Sequence, residues 1–480
     1  MKRIIAVFCL IALCLPLISC SSGLSDAETG EVTAETKTEI KTKEEKGVIV
    51  YPDSFAVGYA RSELPCFPPH PSQSGDLTQV HDPLQLTCTA IWDGEKAALI
   101  MTADVLQIER DVHVRLCEIA SKKFGIPEDR IILSATHTHT GLTVGNSSPA
   151  GVRFLSAFYK VFPQVVEEAL RDLDVVEGAY GGKGMLEEGI TFVRRYLMPD
   201  GNYKTHGDKT AVAHETEADR ELRTVRFDRK NKKDVLLVNY QTHHGGAGSV
   251  YPGCISADWV HPFREQAEKE FDCLFAYQSG AEGNINFVSP IPGERKYATY
   301  PETIPSFIKT TEDAMSAEEK VELGKIVSAS TVVTATVKKD SPERISQAQE
   351  ISDAGNNEEL KESLVKQYGF QSTHEASAVL KRNKEMGDTE DVPLNCITFG
   401  DLAFTAFPFE QFDTSGKTVR DTSPFKMTFI NGLSGGTYGY MPTKEAFPHG
   451  GYEVVVCPYT SGCAEMFVEA MQKLLNDCKR

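Results

Sequence analysis

A short apolar segment that ends in two histidines constrains this chain more than any other part of its sequence. Residues 131–141 read Ile-Ile-Leu-Ser-Ala-Thr-His-Thr-His-Thr-Gly. An apolar run of this length predicts a buried strand whose last residues emerge at the crevice of a layered fold. Because side chains two residues apart on an extended chain share one face, His137 and His139 can address one point. The spacing by itself also suits polar loop residues, so a metal site needs support from elsewhere in the chain.

A second apolar segment, residues 234–244, also ends in histidine. It reads Asp-Val-Leu-Leu-Val-Asn-Tyr-Gln-Thr-His-His and is followed by two glycines. The recurrence of one arrangement in a single chain favours a shared metal site over two unrelated turns. Asp258 and His261 follow, and we expect them to orient a ligating imidazole from behind. In the alternative interpretation, His243 and His244 are ordinary turn residues.

A third apolar segment, residues 400–410, stops at Pro408 and presents Glu410. A carboxylate at the end of an apolar strand costs free energy unless a positive group receives it. Two histidines and one glutamate are a zinc ligand set that leaves one coordination position open for water. The three segments together therefore predict a zinc site at converging strand ends.

The alternation of strand-like and helix-like segments from residue 48 onward predicts an α/β fold. With 480 residues, 41% of them hydrophobic, the chain can bury a large core. A helix is expected from about Val105 to near Phe124, directly before the first histidine strand, which gives a strand, helix, strand order. Residues 340–392 are charged and carry a Ser-Pro-Glu-Arg helix start, so we interpret them as a peripheral insertion of solvated helices.

The first 19 residues are typical of a bacterial lipoprotein signal peptide. Two basic residues precede an apolar run, and Leu17-Ile18-Ser19-Cys20 has the small residue and the cysteine of a lipidation site. We expect Cys20 to become the lipidated first residue, which anchors an exported protein to the bacterial cell envelope. Residues 20–47 are rich in Glu, Lys, Thr and Ser and predict a disordered tether, which leaves 48–480 as the folded domain. The alternative is an ordinary cleaved secretory signal without a lipid.

Charge and residue usage exclude several classes of partner. Loss of the signal peptide removes Lys2 and Arg3 and takes the formal net charge from −18 to −20, which argues against nucleic acid and anionic headgroups as partners. Nine cysteines follow Cys20 without a Cys-x-x-Cys pair, which indicates neither a zinc knuckle nor a disulfide scaffold, whereas one or two individual disulfides stay open. The 12 histidines are too dispersed for a zinc-capture protein.

Four motifs together resemble the neutral/alkaline non-lysosomal ceramidase family, a group of exported or membrane-associated zinc amidases. The motifs are Thr136-His137-Thr138-His139, Asn239-Tyr240-Gln241-Thr242-His243, Pro408-Phe409-Glu410, and Tyr438-Gly439-Tyr440-Met441-Pro442-Thr443 followed by Gly450-Gly451-Tyr452-Glu453. The likeness extends from about Val57 to the end of the chain. It implies the catalytic-domain fold of that family, with layered mixed β-sheets and helices. We expect no C-terminal immunoglobulin-like domain, since little sequence follows the helix predicted at about residues 461–475.

The resemblance also implies which residues form the site. The matching zinc ligands are His137, His243, Glu410 and Tyr440, and the residues placed close to the metal as proton donors are His139 and Tyr452. A phenol becomes a good ligand only when zinc stabilises its phenolate, so Tyr440 is either a ligand or a hydrogen-bond donor. The candidates for support of the ligands or for contact with substrate are Asp104, Arg195, Asp258 and Asn286.

One position departs from the ceramidase pattern. Asn286 stands where ceramidases have a serine, and asparagine cannot act as a nucleophile, so attack by water activated on zinc is the simpler mechanism. Zinc lowers the pKa of a bound water to about 7, which makes hydroxide available at neutral pH.

The predicted function is a zinc-dependent amidohydrolase that acts on an N-acyl bond. His139 and Tyr452 can donate to the oxyanion or to the leaving nitrogen. The substrate class is an N-acylated lipid or amino sugar, and an ester would suit the same site. The alternative is a non-catalytic surface lipoprotein that uses the fold to bind a ligand, and the presence of both donors argues against it.

Overall fold

The computed structural model of the protein describes residues 48–72, 75–145 and 149–479. The predicted signal peptide, Cys20 and the predicted tether of residues 20–47 lie outside these residues. The chain from Ile49 onward forms one compact unit by its internal contacts. In the described ranges, no helix has both the length and the apolar surface that a membrane span requires.

The described ranges contain eleven α-helices and twenty-six strands, many of the strands only two or three residues long. The helices are α1 (Arg110–Phe124), α2 (Pro149–Arg171), α3 (Ala247–Val250), α4 (Val260–Phe271), α5 (Ile304–Ser316), α6 (Pro342–Asp353), α7 (Glu358–Tyr368), α8 (Thr373–Lys384), α9 (Asp413–Asp421), α10 (Tyr452–Val456) and α11 (Cys463–Lys479).

The strands are β1 (Ala56–Glu63), β2 (His70–Ser72), β3 (Gly75–Leu77), β4 (Gln79–Val80), β5 (Gln85–Trp92), β6 (Ala97–Ala103), β7 (Gln107–Ile108), β8 (Ile131–Ala135), β9 (Thr143–Val144), β10 (Asp174–Met185), β11 (Phe192–Val193), β12 (Arg195–Leu197), β13 (Tyr203–Thr205), β14 (Ala213–His214), β15 (Glu221–Arg229), β16 (Val235–Tyr240), β17 (Cys254–Ile255), β18 (Leu274–Ser279), β19 (Ile285–Asn286), β20 (Glu319–Lys320), β21 (Ile326–Thr336), β22 (Thr389–Phe399), β23 (Leu402–Ala406), β24 (Glu410–Gln411), β25 (Met427–Asn431) and β26 (Tyr440–Met441).

A nine-stranded sheet forms the centre of the fold. Its strands lie in the order β18-β16-β15-β10-β1-β5-β6-β8, and β20 pairs with β10. The pair β6/β8 at one end and the pair β16/β18 at the other are parallel. The two ends of the sheet approach each other. A hydrogen bond of 2.7 Å from the Thr102 hydroxyl on β6 to the carbonyl of Tyr277 on β18 joins them. The two histidine loops therefore meet, and Thr138 pairs with His244 in an isolated parallel bridge.

A four-stranded sheet, in the order β21-β22-β23-β25, contributes the third parallel pair, β23/β25. Each of the three parallel pairs is joined by a crossover that contains a helix, namely α1, α4 and α9. In such units, ligands bind beyond the carboxyl ends of the strands. The three predicted ligand segments follow β8, β16 and β23, which are strands of these three units.

The two sheets and their helices form layers, as the sequence predicts. One core lies between the sheets and includes Ile100, Ile132, Phe399 and Phe404. Helices α1 and α2 pack on the other face of the large sheet, where Leu116, Phe158 and Phe162 are buried, and α11 covers the small sheet with Phe467 and Met471. The expected α/β class with layered mixed sheets is thus confirmed.

The helix before the first histidine strand begins later than predicted. It starts at Arg110 and not near Val105, because Gln107 and Ile108 are extended and pair with residues 143–144 in a short parallel ladder. Its end at Phe124 agrees with the sequence, since Gly125 takes the left-handed conformation (φ 70°) that commonly ends a helix.

The charged segment predicted as an insertion contains α6, α7 and α8, which share a small core around Ile351, Leu364 and Val379. The Arg382 guanidinium of α8 binds both carboxylate oxygens of Asp340 at 2.5 and 2.6 Å and the carbonyl of Val455 at 2.8 Å. This buried contact fastens α8 to the end of α10, so the helices do more than project into solvent. The helical part ends before Thr389, where β22 begins.

Candidate metal centre

His137 reaches the site through a turn that directly follows β8. Every residue of β8 is buried, and His137 itself has a left-handed backbone (φ 65°), which costs a residue with a Cβ about 1–2 kcal/mol. Its Nδ1 lies 2.8 Å from the carbonyl oxygen of Leu106. Since a carbonyl only accepts, Nδ1 carries a proton, which leaves Nε2 as the atom that can bind a metal ion once it is deprotonated.

His243 is held in the same way after β16. Its Nδ1 donates to the carbonyl oxygen of Glu282 at 2.9 Å, and its Nε2 lies 3.2 Å from Nε2 of His137. The Nε2 atom of His139 lies 3.3 Å from that of His137. These three nitrogens lie within 4.8 Å of one another. Two imidazoles whose protons are fixed on Nδ1 place lone pairs against each other, which is favourable only with a cation or a proton between them.

Glu410 brings a carboxylate to the same point. Its Oε2 lies 3.2 Å from Nε2 of His137 and 3.4 Å from Nε2 of His243. No donor among the described residues satisfies Oε2 with hydrogen-bond geometry. Burial alone would raise the pKa of Glu410, but the charge of His137 outweighs it and holds the pKa well below its usual range. The carboxylate is therefore ionised and directed at the histidine nitrogens.

Tyr440 lies beside Glu410 because their short strands, β24 and β26, pair in parallel register. The Tyr440 hydroxyl is 3.4 Å from Nε2 of His243 and accepts a hydrogen bond from Arg194 at 2.9 Å. Burial, followed by the charge of Glu410, raises the pKa of Tyr440 well above its ordinary value. Tyr452 packs edge-on against Tyr440, with ring centroids 5.7 Å apart. Burial and then Glu410 raise the pKa of Tyr452 to about 12, so this phenol remains a proton donor.

The donor set fits zinc. Imidazole nitrogens with their second nitrogen bonded to a carbonyl, together with a carboxylate, are the ligands and the outer contacts that zinc sites use. His139, predicted as a donor near the metal, lies in the histidine cluster itself. Burial and then the charge of His137 lower the pKa of His139 to about 3, so its imidazole is neutral at pH 7.

A buried ion network supports Tyr440 from behind. The Arg194 guanidinium donates to Glu453 at 2.8 Å as well as to Tyr440, and Arg195 binds Glu453 at 3.0 Å and Glu215 at 2.5 Å. The sequence interpretation selected Arg195, but Arg194 is the one that contacts a predicted ligand. Side chains of neighbouring residues on an extended chain point to opposite sides. The sequence therefore indicates that one arginine of the pair faces the site, but it does not show which one.

The other predicted supporting residues lie outside the cluster. Asp104 forms a buried ion pair with Arg264, with both oxygens at 3.1 Å. Asp258 accepts backbone N–H groups of the loop after β17 and of α3, and the Asn286 amide oxygen accepts from Val288 in a local turn. His243 is oriented by a backbone carbonyl and not by Asp258 or His261.

His244 has a structural place. Its ring is fully buried and stacks on Trp259 at 5.3 Å, with the edge of Tyr277 at 5.8 Å. Neither ring nitrogen has a hydrogen-bond partner among the residues that the structure describes. The backbone carbonyl of His244 accepts from the amide of His139 at 2.9 Å, which ties the two histidine loops together.

Glu282 was not predicted from the sequence. Its side chain is fully buried, and neither carboxylate oxygen has a hydrogen-bond partner in the described part of the chain. Burial raises the pKa of Glu282 to about 8, against the opposing charge of His137. A glutamate within Ser-Gly-Ala-Glu-Gly, directly after the buried strand β18, is the sequence signal that could have indicated it.

The cluster adjoins a cavity of about 340 Å³, and His137, His139, Glu410, Tyr440 and Tyr452 are among the residues that line it. Another part of the lining comes from α8, which the sequence interpretation treated as peripheral. The residues of α8 that line the cavity are His374, Ser377, Ala378, Lys381 and Arg382.

A second group of potential metal ligands lies on and beside α1. His113, Cys117 and Glu128 place one ligand atom each within 4.8 Å of one another. Arg110 already binds Glu128 at 2.6 Å, and burial followed by the charge of Arg110 lowers the pKa of His113 to about 3. A protein cation thus already pairs with the carboxylate that a metal ion would need as a ligand.

Two solved structures share the fold. One is a neutral ceramidase from Pseudomonas aeruginosa, 16% identical, with a TM-score of 0.64 over 89% of this chain and 74% of that chain. The other is a ceramidase complexed with C2, 15% identical, with a TM-score of 0.64 over 89% of this chain and 75% of that chain. No protein-family model and no curated protein matches the sequence. The fold that the motifs predicted is confirmed: this chain has the fold of the neutral ceramidases.

Proposed function

We propose that the protein is a zinc-dependent hydrolase that cleaves an N-acyl amide bond. The observation that carries the proposal is the convergence of three imidazole Nε2 atoms and the Glu410 carboxylate beside a cavity that His137, His139 and Glu410 line. Nitrogen and oxygen donors held by carbonyl groups suit zinc. Both solved structures described above are ceramidases, which supports amide hydrolysis as the reaction class.

We assign His137, His243 and Glu410 as ligands, with Tyr440 or His139 completing the set. When bound, zinc would lower the pKa of a water molecule to about 7 and polarise the acyl carbonyl. In the net reaction, water adds to the acyl carbon, the C–N bond breaks, and the amine leaves with the proton that the water gave up. The chain must therefore supply a donor for the carbonyl oxygen and a donor for the nitrogen.

Tyr452 is the residue that we assign to the carbonyl oxygen. Its hydroxyl keeps its proton at neutral pH, since its pKa is about 12, and it lines the same cavity as the cluster. A fixed donor that meets the charge as it develops is a large contribution to hydrolysis of acyl compounds. His139, whose imidazole is neutral and can therefore accept the proton that the water gives up, is assigned to pass that proton to the leaving nitrogen.

The experiment combines metal analysis with a substrate screen. We would measure zinc by mass spectrometry in the purified full-length protein and screen N-acyl amides, including ceramides, for release of fatty acid. The variants are His137→Ala and Glu410→Ala, and the matched control is His261→Ala, which removes a histidine outside the cluster. We expect about one zinc per chain in the wild type and in the control, and none in the two variants. A folded wild type that binds no metal would overturn the proposal and favour a ligand-binding lipoprotein.

The role of His139 has its own test. His139→Asn retains a polar side chain of similar reach but is a poorer zinc ligand. Retention of zinc with loss of hydrolysis assigns His139 as a donor. Loss of zinc assigns it as a ligand, in line with its distance of 3.3 Å from Nε2 of His137.

We also propose that the protein is exported and anchored to the cell envelope through a lipid on Cys20. The support is the arrangement of Leu17-Ile18-Ser19-Cys20 after an apolar run. Radiolabelled palmitate should label the wild type, and Cys20→Ala should remove the label and release the protein from the membrane fraction. Equal labelling of both proteins would contradict the anchor.

A further inference from the structure

One face of α8 lines the same cavity as the metal centre. His374, Ser377, Ala378 and Lys381 lie three, one and three residues apart, so they share one side of the helix, and all four line the cavity. The helix is well anchored at its start, because the Ser372 side chain accepts from the backbone of Glu375. A regular element therefore presents these side chains to whatever enters.

Lys381 is the cation of this wall that is free to bind a ligand. Among the described residues, no carboxylate lies within 4 Å of its ammonium group, although Lys381 acts on Glu109 over a longer distance. The neighbouring Arg382 is engaged, because Asp340 binds it through both oxygens. Glu390 lines the same cavity, but its carboxylate accepts from the hydroxyl of Tyr459 at 2.6 Å.

Part of the remaining cavity lining is apolar. Met386, Val456 and Pro458 are apolar and lie in the same cavity as Lys381 and the cluster. An apolar chain can pack against these three residues, whereas a neutral lipid placed over Lys381 would remove an ammonium group from water without pairing it. The ordinarily charged side chains that line the cavity are Lys381, Arg382, Glu390 and Glu410, and Lys381 is the cation among them that no carboxylate of the described residues approaches within 4 Å.

We propose that the substrate is an N-acyl compound that carries an anionic group, a carboxylate or a phosphate, which Lys381 binds in the cavity that adjoins the metal centre. This inference rests on the proposed function, since it names the substrate class of the same site. Lys381 is a residue that determines specificity, and the amide is cleaved by the groups of the metal centre. A neutral ceramide-like amide lacks the group that Lys381 recognises.

The experiment compares three amides that share one acyl chain. N-dodecanoylglycine carries a carboxylate, N-dodecanoyl-phosphoethanolamine carries a phosphate, and N-dodecanoylethanolamine is neutral. The variants of the full-length zinc-loaded protein are Lys381→Met and the matched control Lys384→Met. Both lysines lie in the last turn of α8, but Lys384 does not line the cavity. A role of Lys381 limited to helix stability would affect both variants alike.

We expect the wild type to have a higher kcat/KM for one or both anionic amides than for the neutral one. Lys381→Met should lower kcat/KM for the preferred anion by about five- to tenfold, as expected for one charge-assisted hydrogen bond near the surface, with KM carrying the change. The neutral amide should be cleaved equally by the wild type and Lys384→Met, and at least as well by Lys381→Met, which no longer places an unpaired ammonium group beside a neutral substrate. Added salt should weaken the preference for the anion in the wild type and in Lys384→Met, but not in Lys381→Met. The comparison of carboxylate with phosphate identifies which anion is bound.

A binding measurement separates this inference from the proposed function. Two sulfonamide analogues that cannot be hydrolysed, one with the glycine carboxylate and one with the neutral ethanol group, are titrated by calorimetry. Tighter binding of the anionic analogue that is lost in Lys381→Met supports the inference even if no amide is cleaved. Equal binding of both analogues, or equal effects of the two lysine variants, would overturn it while leaving amide hydrolysis in place.

Discussion

The chain builds two parts of this region differently: the cluster of His137, His243 and Glu410, called here the metal end, and the part of the cavity lining on α8, called the outer end. At the metal end, His137, His243 and Glu410 each follow a strand, and backbone carbonyls or strand pairing fix their positions. At the outer end, His374 and Lys381 lie on α8. This helix belongs to the segment that connects β21 to β22 in the sequence, two strands that pair with each other in the small sheet. Residues at strand ends are held in precise positions. A helix inserted elsewhere in the chain can change which molecules reach the site without moving the ligands.

The largest effect should come from the metal end, through two neighbouring histidines of the same loop. His243→Ala removes a nitrogen from the cluster, so we expect loss of zinc and a fall in hydrolysis of about a thousandfold or more, or ~4 kcal/mol. His244→Phe should keep zinc and activity, because His244 packs between Trp259 and Tyr277 and its nitrogens make no hydrogen bond within the described residues. Zinc content and initial rates check both variants. Loss of zinc in His244→Phe would show that the two positions are not distinct.

The sequence identifies the metal end because its signals are local. An apolar run followed at once by His137, His243 or Glu410 predicts a strand and the residue at its tip, and the structure brings all three together. Asp104 also follows a strand, but it pairs with Arg264 on α4, a partner distant in sequence. Strand ends predict that a side chain reaches an edge of the sheet, and the packing of helices decides what it meets there.

The outer end could not be predicted for a related reason. The charges and the helix start in α6 to α8 correctly indicated solvated helices, but sequence periodicity contains no signal for where an insertion docks. Its position depends on Arg382, which is buried against Asp340 and the carbonyl of Val455. A charged residue in a charged segment predicts exposure, and only the long-range contact shows otherwise.

The ion network behind Tyr440 should give the next largest effect, on stability. Arg194→Met leaves the fully buried Glu453 with fewer cationic partners, so we expect the free energy of unfolding to fall by about 3 kcal/mol. The control is Lys417→Met, which breaks the exposed pair with Asp421 and should cost less than about 0.5 kcal/mol. Urea denaturation followed by circular dichroism compares the two. Equal losses would mean that the network does not hold the metal end together.

The contact between the inserted helix and α10 should give a smaller effect that joins the two ends. Arg382→Met removes the shorter of two hydrogen bonds to the carbonyl of Val455, at the end of the helix that begins with Tyr452, and leaves the bond from Lys338 at 3.3 Å. We expect a loss of stability of about 2 kcal/mol. Because Tyr452 is displaced, kcat should fall about tenfold, or ~1.4 kcal/mol, with zinc content unchanged. Lys361→Met, on the outer helix α7, is the control and should leave kcat as it is. A drop in zinc content would show that Arg382 also supports the metal ligands, and the two ends would then not be independent.

The smallest effect tests why one buried histidine suits a metal and another does not. His113 and His137 are both buried, but the charge of Glu410 raises the pKa of His137 against the effect of burial, while burial and then Arg110 lower the pKa of His113 to about 3. A folded-state pKa below the unfolded value of about 6.5 means that protonation favours the unfolded chain. His113 should therefore cost the folded state nothing above pH 6.5 and increasing free energy as the pH falls from 6.5 towards 3. Between pH 6.5 and 5.5 the wild type should lose about 1 kcal/mol more than His113→Phe in urea denaturation. Parallel pH profiles for the two proteins would show that His113 is not held neutral, and burial alone would then not separate it from the histidines of the cluster.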